Sequence, residues 1–404
     1  MSTTPRAPGV TTGGHPVVDD LDLPPARQAT RMAELCLGVV VLYAWAPPGV
    51  PGFLSLGLVA VAGLLGLALL RPPGRPLAGG ALGWLGPALV LLVGYLVLVS
   101  ISSPDDSING WTRRAFRLTM VLALLLALVS GRVHWPSVVR GAALGLLANA
   151  VLFVAGVAPS PYGEYLSGFL LDKNQAGLAY ALVTLLYLGL VEDRRRQVLV
   201  VLIGGGLVWL TGSRTSLAAL ACGLAWVLLR PRFGPGGRVA LVAALAAGVQ
   251  LLENNFARAG VFASRDGSDA FRARIDEASQ AKLAASPPQG LGLGESWVFI
   301  GDRQYLFHNS YWAALVEGGW VLLAAFVLLV VVAVGLWRRG PTDPAWVAAE
   351  AANIAVLVCA LRLGEVFGAT AATLALAGGL LGLLAHRSAP GTGGAGSGPT
   401  GSVP

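Results

Sequence analysis

The chain is dominated by apolar segments of the length that crosses a lipid bilayer. Between residues 32 and 385 these segments follow one another with short polar turns, interrupted by one long polar stretch from 253 to 307. Only 12% of the 404 residues are charged and 55% are hydrophobic, whereas a water-soluble domain carries roughly 25% charged residues. This shortage of charged residues excludes a soluble enzyme. Since a membrane-spanning helix takes about 20 apolar residues, an all-α polytopic membrane protein is predicted, with about 12 transmembrane helices.

The predicted spans divide the chain into five regions. They cover residues 32–47, 51–70, 80–100, 115–130, 138–158, 175–191, 197–212, 215–229, 238–252, 309–337, 345–363 and 366–385. Residues 31–252 therefore hold spans 1–9, residues 253–308 form one long extracytoplasmic loop, and residues 309–386 hold spans 10–12. The ends, 1–30 and 387–404, are rich in Gly, Pro, Ser and Thr and are predicted to be disordered cytoplasmic tails.

The positions of the basic residues predict the orientation. Of 28 Lys and Arg residues, 16 fall in the two tails and in loops on one side, and 6 lie in short loops or helix ends on the other. The remaining 6 lie in the long loop, to which the positive-inside rule does not apply. Both termini are therefore predicted to be cytoplasmic, with the chain in the plasma membrane. The same distribution explains the net charge of +7 without a nucleic-acid partner.

This topology gathers polar side chains at the outer membrane surface. They are Lys173 and Asn174 before the sixth span, Arg214 before the eighth, Arg265 and Arg272 in the long loop, and His308, Asn309 and Glu317 at the start of the tenth. A guanidinium group binds phosphate oxygens through two parallel hydrogen bonds, and histidine is the usual general base near neutral pH. The set predicts a site for a lipid-linked phosphate or diphosphate.

More ordinary roles compete with this interpretation. Arg214 could reach lipid headgroups or pair with Asp172 or Glu317, and His308 could be an interfacial polar contact. In the long loop, an apolar side formed by Phe271, Ile275, Ala278 and Leu283 predicts a helix capped by Ser268. A solvated linker is the alternative for this loop.

Four motifs resemble the O-antigen ligase and O-antigen polymerase superfamily of bacterial membrane glycosyltransferases. They are Phe169-x-x-x-Lys173-Asn174-x-x-Gly177, the turn Thr211-Gly212-Ser213-Arg214-Thr215-Ser216-Leu217, Arg265 followed by a helix and by Pro287 to Gly294, and His308-Asn309 with Glu317-x-Gly319. Each motif is weak alone. Their order, spacing and common side make the combination specific over residues 165–340, whereas the first five spans match only in hydropathy.

The resemblance implies a GT-C-like fold and a glycan donor linked to undecaprenyl diphosphate. It implies that Arg214 and Arg265 hold the diphosphate and that His308 acts on the acceptor hydroxyl or orients the donor. Lys173, Asn174, Arg272, Asn309 and Glu317 are expected to bind substrate. No metal, cofactor or nucleotide sugar is implied. The acceptor is a glycan, a lipid or a protein, and the sequence does not separate ligase, polymerase and protein oligosaccharyl transferase.

Two other classes of membrane protein remain open from the sequence. A transporter or flippase for a lipid-linked glycan or a small anion would need access from both faces, yet the polar residues gather on one. It would also be expected to carry an inverted repeat and charges near the midplane, and neither is apparent. A structural scaffold would tolerate replacement of Arg214 and His308.

Overall fold

The computed structural model describes residues 23–75, 77, 80–102, 110–256, 266–338 and 342–388. Within these ranges the chain is mostly helical, and thirteen α-helices account for its regular structure together with one β-hairpin and short 3-10 turns. The predictions of disorder for residues 1–22 and 389–404 lie outside the described residues, and so does Arg265.

The helices follow the predicted spans closely. They are α1 (Met32–Val40), α2 (Leu56–Leu69), α3 (Leu85–Ser102), α4 (Trp111–Val129), α5 (Trp135–Val154), α6 (Lys173–Leu188), α7 (Arg194–Leu210), α8 (Arg214–Leu229), α9 (Pro235–Phe256), α10 (Asp266–Ala285), α11 (Ser310–Val334), α12 (Pro344–Ala360) and α13 (Thr370–Ser388). Each predicted span overlaps one helix, and α10 is the additional helix in the long loop. The strands are β1 (Trp297–Ile300) and β2 (Arg303–Leu306).

Three helices in the described part of the chain are long and apolar enough to cross a membrane: α3, α5 and α11. Four shorter apolar helices fall within α2, α9, α12 and α13. The helical, apolar character of the chain agrees with the predicted class, whereas the number of twelve spans stays a prediction.

Helix α1 ends well before the predicted limit of its span. It has nine residues and stops at Val40, although the apolar sequence continues to residue 47. Beyond it the backbone pairs with other segments: Leu56 N–H donates to the Trp45 carbonyl at 3.0 Å, and Trp45 N–H donates to the Phe169 carbonyl at 3.0 Å. These bonds satisfy backbone groups of Trp45 that have no helical partner, which allows the chain to leave the helix before the apolar sequence ends.

Helix α12 lies at the centre of the bundle. It contacts α6, α8, α11 and α13, and nearly all of its side chains are buried. Alanine occupies many of its positions, as in the sequence Ala348-Ala349-Glu350-Ala351-Ala352. Small side chains let neighbouring helix backbones approach closely. In lipid, where the hydrophobic effect does not drive helices together, this close van der Waals packing is what holds apolar helices against one another.

The long predicted loop folds into a small unit, here called the cap, made of α10, β1 and β2. The predicted apolar side of α10 is confirmed, because Ile275 is buried against Val298, Phe307 and Val316, with Phe271 packed beside them. The helix begins at Asp266 instead of after a Ser268 cap. The hairpin was not predicted, since its short strands lack a regular alternation of apolar and polar residues.

Candidate functional site

The amino-terminal ends of α4, α6, α8 and α11 meet around the segment that joins α12 to α13. Gln175 at the start of α6 donates to the Gly364 carbonyl at 3.0 Å. The Ser310 hydroxyl at the start of α11 donates to the Leu363 carbonyl and accepts from Val366 N–H at 3.0 Å. Gly177 of α6 lies against Ser216 of α8. Four positive helix ends thus converge on one side of the bundle.

A cavity of about 910 Å³ opens among the starts of α4, α6 and α11, and no described residue of α8 lines it. Its charged lining consists of Arg113, Arg114, Arg117, Asp172, Glu317 and Glu365. The rest of the wall includes the apolar side chains Val61, Leu118, Val121, Leu178, Leu322 and Phe326. The cavity therefore joins a charged rim to an apolar interior, as a binding site for a ligand with a polar head and an apolar tail would require.

Three arginines in the first two turns of α4 contribute the positive charge. Arg113 and Arg117 are exposed, and the Arg113 guanidinium lies 5.5 Å from the centre of the Phe53 ring. Arg114 is paired with two carboxylates, through Nε to Glu317 at 3.0 Å and through Nη1 to Glu365. The sequence interpretation did not assign these arginines to the site. Three cations at the start of an otherwise apolar helix are energetically costly near a membrane. This cost is the signal in the sequence that could have assigned the three arginines to a functional site.

Glu317 lies at a break in α11 and holds the glycine-rich loop that follows α10. Its Oε1 accepts from the Ser296 hydroxyl at 2.7 Å and from Gly294 N–H at 3.3 Å. The helix is interrupted directly after it, because Gly318 and Gly319 have non-helical backbone angles. The expected role of Glu317 was substrate binding; it lines the cavity, and both of its oxygens bond to protein groups.

The glycine-rich loop satisfies the backbone groups that the break exposes. Leu291 N–H donates to the Val316 carbonyl at 2.6 Å, and Gly292 N–H donates to the Glu317 carbonyl at 3.1 Å. In return Trp320 N–H donates to the Pro288 carbonyl at 3.2 Å. The Pro-x-x-Gly-x-Gly pattern thus attaches the cap to α11. This exchange of hydrogen bonds explains why an apolar helix tolerates an interruption.

Glu365 adopts a backbone conformation that side chains rarely occupy. Its φ is +62°, and Leu171, also on the cavity wall, has φ of +64°. The charge of Arg114 holds the pKa of the Glu365 carboxyl below its usual range against the opposing effect of burial, and Arg117 adds to this lowering. Non-glycine residues at positive φ tend to cluster at functional sites, where the surrounding structure compensates their cost.

His308 lies between β2 and α11, two residues from each of the cavity-lining residues Leu306 and Ser310. Its Nδ1 atom is buried and has no hydrogen-bond partner among the described groups. Burial and the nearby charge of Arg272 lower its pKa below the usual 6.5, and Asp276 and Asp172 oppose this more weakly. The imidazole is therefore neutral at pH 7 and able to accept a proton.

The start of α6 is organised by Asp172, which caps the helix. One carboxylate oxygen accepts from Asn174 N–H and Gln175 N–H, both at 2.8 Å, and the other accepts from the Tyr162 hydroxyl at 2.8 Å. Burial, and then this bond, raise the pKa of Tyr162 to about 12, so its hydroxyl stays protonated. The Lys173 ammonium lies 4.1 Å from the centre of the Tyr165 ring.

The remaining predicted residues lie around the same group of helix ends. Arg214 is the first residue of α8, directly after the capping Ser213. Asn309 caps α11, accepting from Tyr311 N–H at 2.9 Å. Arg272 belongs to α10 of the cap and acts electrostatically on His308. Of the described predicted residues, Glu317 lines the cavity, whereas Lys173, Asn174, Arg214, Arg272, His308 and Asn309 do not. Asp172, Gln175 and Ser310, which adjoin Lys173, Asn174 and Asn309 in sequence, do line it.

Comparisons with known proteins assign no family to this chain. A scan against protein-family models gives no match, and a search of curated proteins gives none either. In the described ranges no group of three His, Cys, Asp or Glu side chains is arranged to hold a metal ion. Function is therefore inferred from the cavity, from the charges around it and from the motifs in the sequence.

Proposed function

We propose that this protein is a membrane glycosyltransferase of the O-antigen ligase and polymerase type. It transfers a glycan from an undecaprenyl-diphosphate carrier to an acceptor hydroxyl at the outer face of the membrane, without a metal ion. The single observation that carries the proposal is the cavity of about 910 Å³, which has an arginine-bearing rim and an apolar interior. Such a cavity suits a ligand with an anionic head and a long hydrocarbon tail.

The two parts of the donor match the two parts of the cavity. The isoprenoid chain lies along the apolar wall, where Val121, Leu178 and Phe326 replace its contacts with lipid. The diphosphate lies at the rim beside Arg113 and Arg117, whose exposed guanidinium groups bind phosphate oxygens bidentately. Arg214 and Arg265 are expected to contribute further contacts to the diphosphate, as the resemblance to the ligase and polymerase superfamily implies.

The neutral imidazole of His308 is suited to activate the acceptor. The acceptor oxygen bonds to the anomeric carbon, and the bond from that carbon to the phosphate oxygen breaks with its electron pair on the diphosphate. The hydroxyl proton passes to the imidazole and then to water. The lowered pKa of His308 supports this role, because a base must be unprotonated at working pH.

The proposal includes the membrane arrangement. The chain crosses the bacterial inner membrane with twelve spans of a GT-C-like fold, both termini are cytoplasmic, and the cap and His308 face outward. Support comes from the overlap of each predicted span with one helix and from the distribution of basic residues. The acceptor is a glycan, a lipid or a protein that reaches the outer surface.

Measuring the lipid-linked glycans of a deletion strain tests the proposal. The strain is complemented with wild type, Arg214→Ala, Arg214→Lys or His308→Ala, with Arg195→Ala as a matched control because Arg195 is exposed at the start of α7. In the deletion strain, glycan-loaded undecaprenyl diphosphate should accumulate at the outer face of the membrane. Complementation with wild type or Arg195→Ala should clear it, whereas Arg214→Ala and His308→Ala should not. Arg214→Lys should clear it poorly, since an ammonium group cannot reproduce the bidentate geometry.

Other results of the lipid measurement would contradict the proposal. Accumulation of the loaded lipid on the cytoplasmic side would indicate a flippase. Normal clearance by the His308 and Arg214 variants would indicate either a scaffold or chemistry at another site. Loss of turnover on addition of a chelator would exclude the metal-independent mechanism.

The donor site makes a separate prediction. The double variant Arg113→Gln, Arg117→Gln should raise the donor KM at least about a hundredfold, because each of the two lost charge-assisted contacts contributes roughly 1.5–3 kcal/mol. The measurement is the initial rate of transfer as donor concentration is varied, with Arg195→Gln as the control. An unchanged donor KM in the double variant would place the diphosphate elsewhere.

A further inference from the structure

Arg114 differs from the two neighbouring arginines in how it is held. Its Nε lies 3.0 Å from Glu317, and its Nη1 is paired with Glu365. The three residues come from α4, α11 and the segment between α12 and α13. The side chain is 24% exposed and lines the cavity, so part of the guanidinium faces the space where the donor is proposed to bind.

We propose that Arg114 is a further catalytic residue, which stabilises the negative charge that develops on the leaving diphosphate, and that Glu317 and Glu365 are its positioning residues. This inference rests on the function proposed above. A guanidinium has five N–H donors in one plane. The two carboxylates bond to Nε and Nη1, so the donors of Nη2 are the ones that contact the departing phosphate oxygen.

The arrangement is poorly explained by stability alone. Burying an ion pair gains little over apolar packing, because the desolvation of each charge offsets the attraction between them. Glu365 also holds a φ of +62°, which glycine would adopt without cost. Two unfavourable features at one point of the cavity wall indicate that the position of Arg114 serves the reaction.

The chemistry of the leaving group explains what a fixed cation contributes. When the anomeric carbon–oxygen bond breaks, the electron pair stays on the phosphate oxygen and the diphosphate gains one negative charge. A cation already held in place stabilises that charge without reorganising, which is the most effective form of electrostatic catalysis. Arg113 and Arg117 are exposed, so they attract the donor before the reaction begins.

This division of roles predicts a split between kcat and donor KM. With purified protein, and with lipid-linked glycan extracted from the deletion strain as donor, Arg114→Lys should lower kcat at least a hundredfold, roughly the effect of losing one oxyanion donor. Its donor KM should change less than threefold. Arg113→Gln should instead raise the donor KM with a smaller effect on kcat. Arg195→Lys is the control for a conservative change at an exposed arginine.

Variants of Glu365 separate positioning from folding. Glu365→Gly removes the carboxylate and relieves the positive φ, and because this relief offsets the lost ion pair, thermal unfolding in detergent should shift little. Its kcat should nevertheless fall about tenfold to a hundredfold, because Arg114 loses one of its two anchors. Glu365→Gln should lower kcat to a similar degree. A fall in unfolding temperature that accounts for the lost turnover would indicate a structural role and overturn the inference.

Product binding provides a readout that does not depend on turnover. Wild type should bind undecaprenyl diphosphate more tightly than undecaprenyl monophosphate, and Arg114→Lys should reduce that preference about tenfold. If wild type transfers glycan but Arg114→Lys leaves kcat and this preference unchanged, the inference is wrong and the proposed function stands. If wild type transfers no glycan and shows no preference for the diphosphate, the proposed function fails and the inference fails with it.

Discussion

Replacing His308 by Gln should lower the rate of glycan transfer by about a hundredfold to ten-thousandfold, the range for loss of a general base. Glutamine retains a polar side chain of similar size but cannot accept the hydroxyl proton at neutral pH. Expression and unfolding temperature should stay near those of wild type, since the buried Nδ1 has no described hydrogen-bond partner that the substitution would remove.

The pH dependence of transfer provides the sharper test of His308. Its folded pKa lies below 6.5, because burial and Arg272 disfavour the charged form. The neutral base thus predominates at and above pH 6.5, and kcat/KM should fall only as the pH drops through the lower folded value. A pH–rate profile of wild type, with His386→Gln as the control histidine, measures this limb. An acidic limb centred above pH 6.5, or one that persists in His308→Gln, would contradict the role of His308 as the base.

The second large effect is expected at the break in α11. Gly319 has φ of +59° and ψ of −157°, a combination open almost only to glycine. A Cβ there would lie 1.9 Å from the Pro288 carbonyl oxygen. Gly319→Ala should therefore destabilise the protein by about 3 kcal/mol, from backbone strain and forced separation of the loop together. Thermal or denaturant unfolding in detergent measures the loss.

A matched control for this glycine lies in α7. Gly205 has open space around the position of a Cβ, within the helix that runs from Arg194 to Leu210. Gly205→Ala should leave the unfolding transition unchanged or raise it slightly, because alanine favours helix. If Gly319→Ala unfolded like wild type, the loop from Pro288 to Gly292 would not be attached to α11 as described.

The sequence predicted the helical elements well because their signals are local. Each predicted span corresponds to one helix, and the apolar side of α10 was predicted from the positions of Phe271, Ile275 and Ala278. Hydrophobic periodicity and length are properties of a single segment, so they can be read without knowing its neighbours. The early end of α1 depends on hydrogen bonds to distant segments, and the hairpin strands lack a regular alternation of apolar and polar residues, so neither has such a local signal.

The same distinction between local signals and long-range contacts applies to the candidate site. The amino-acid sequence was sufficient to predict an apolar helical chain, a folded unit in its longest polar stretch, and the segments on which His308, Lys173 and Glu317 lie. The ion pairs of Arg114 with Glu317 and Glu365 join residues 203 and 251 positions apart. Only the tertiary structure could reveal them, because the pairing of side chains across helices depends on how those helices pack, and hydropathy records nothing of that packing.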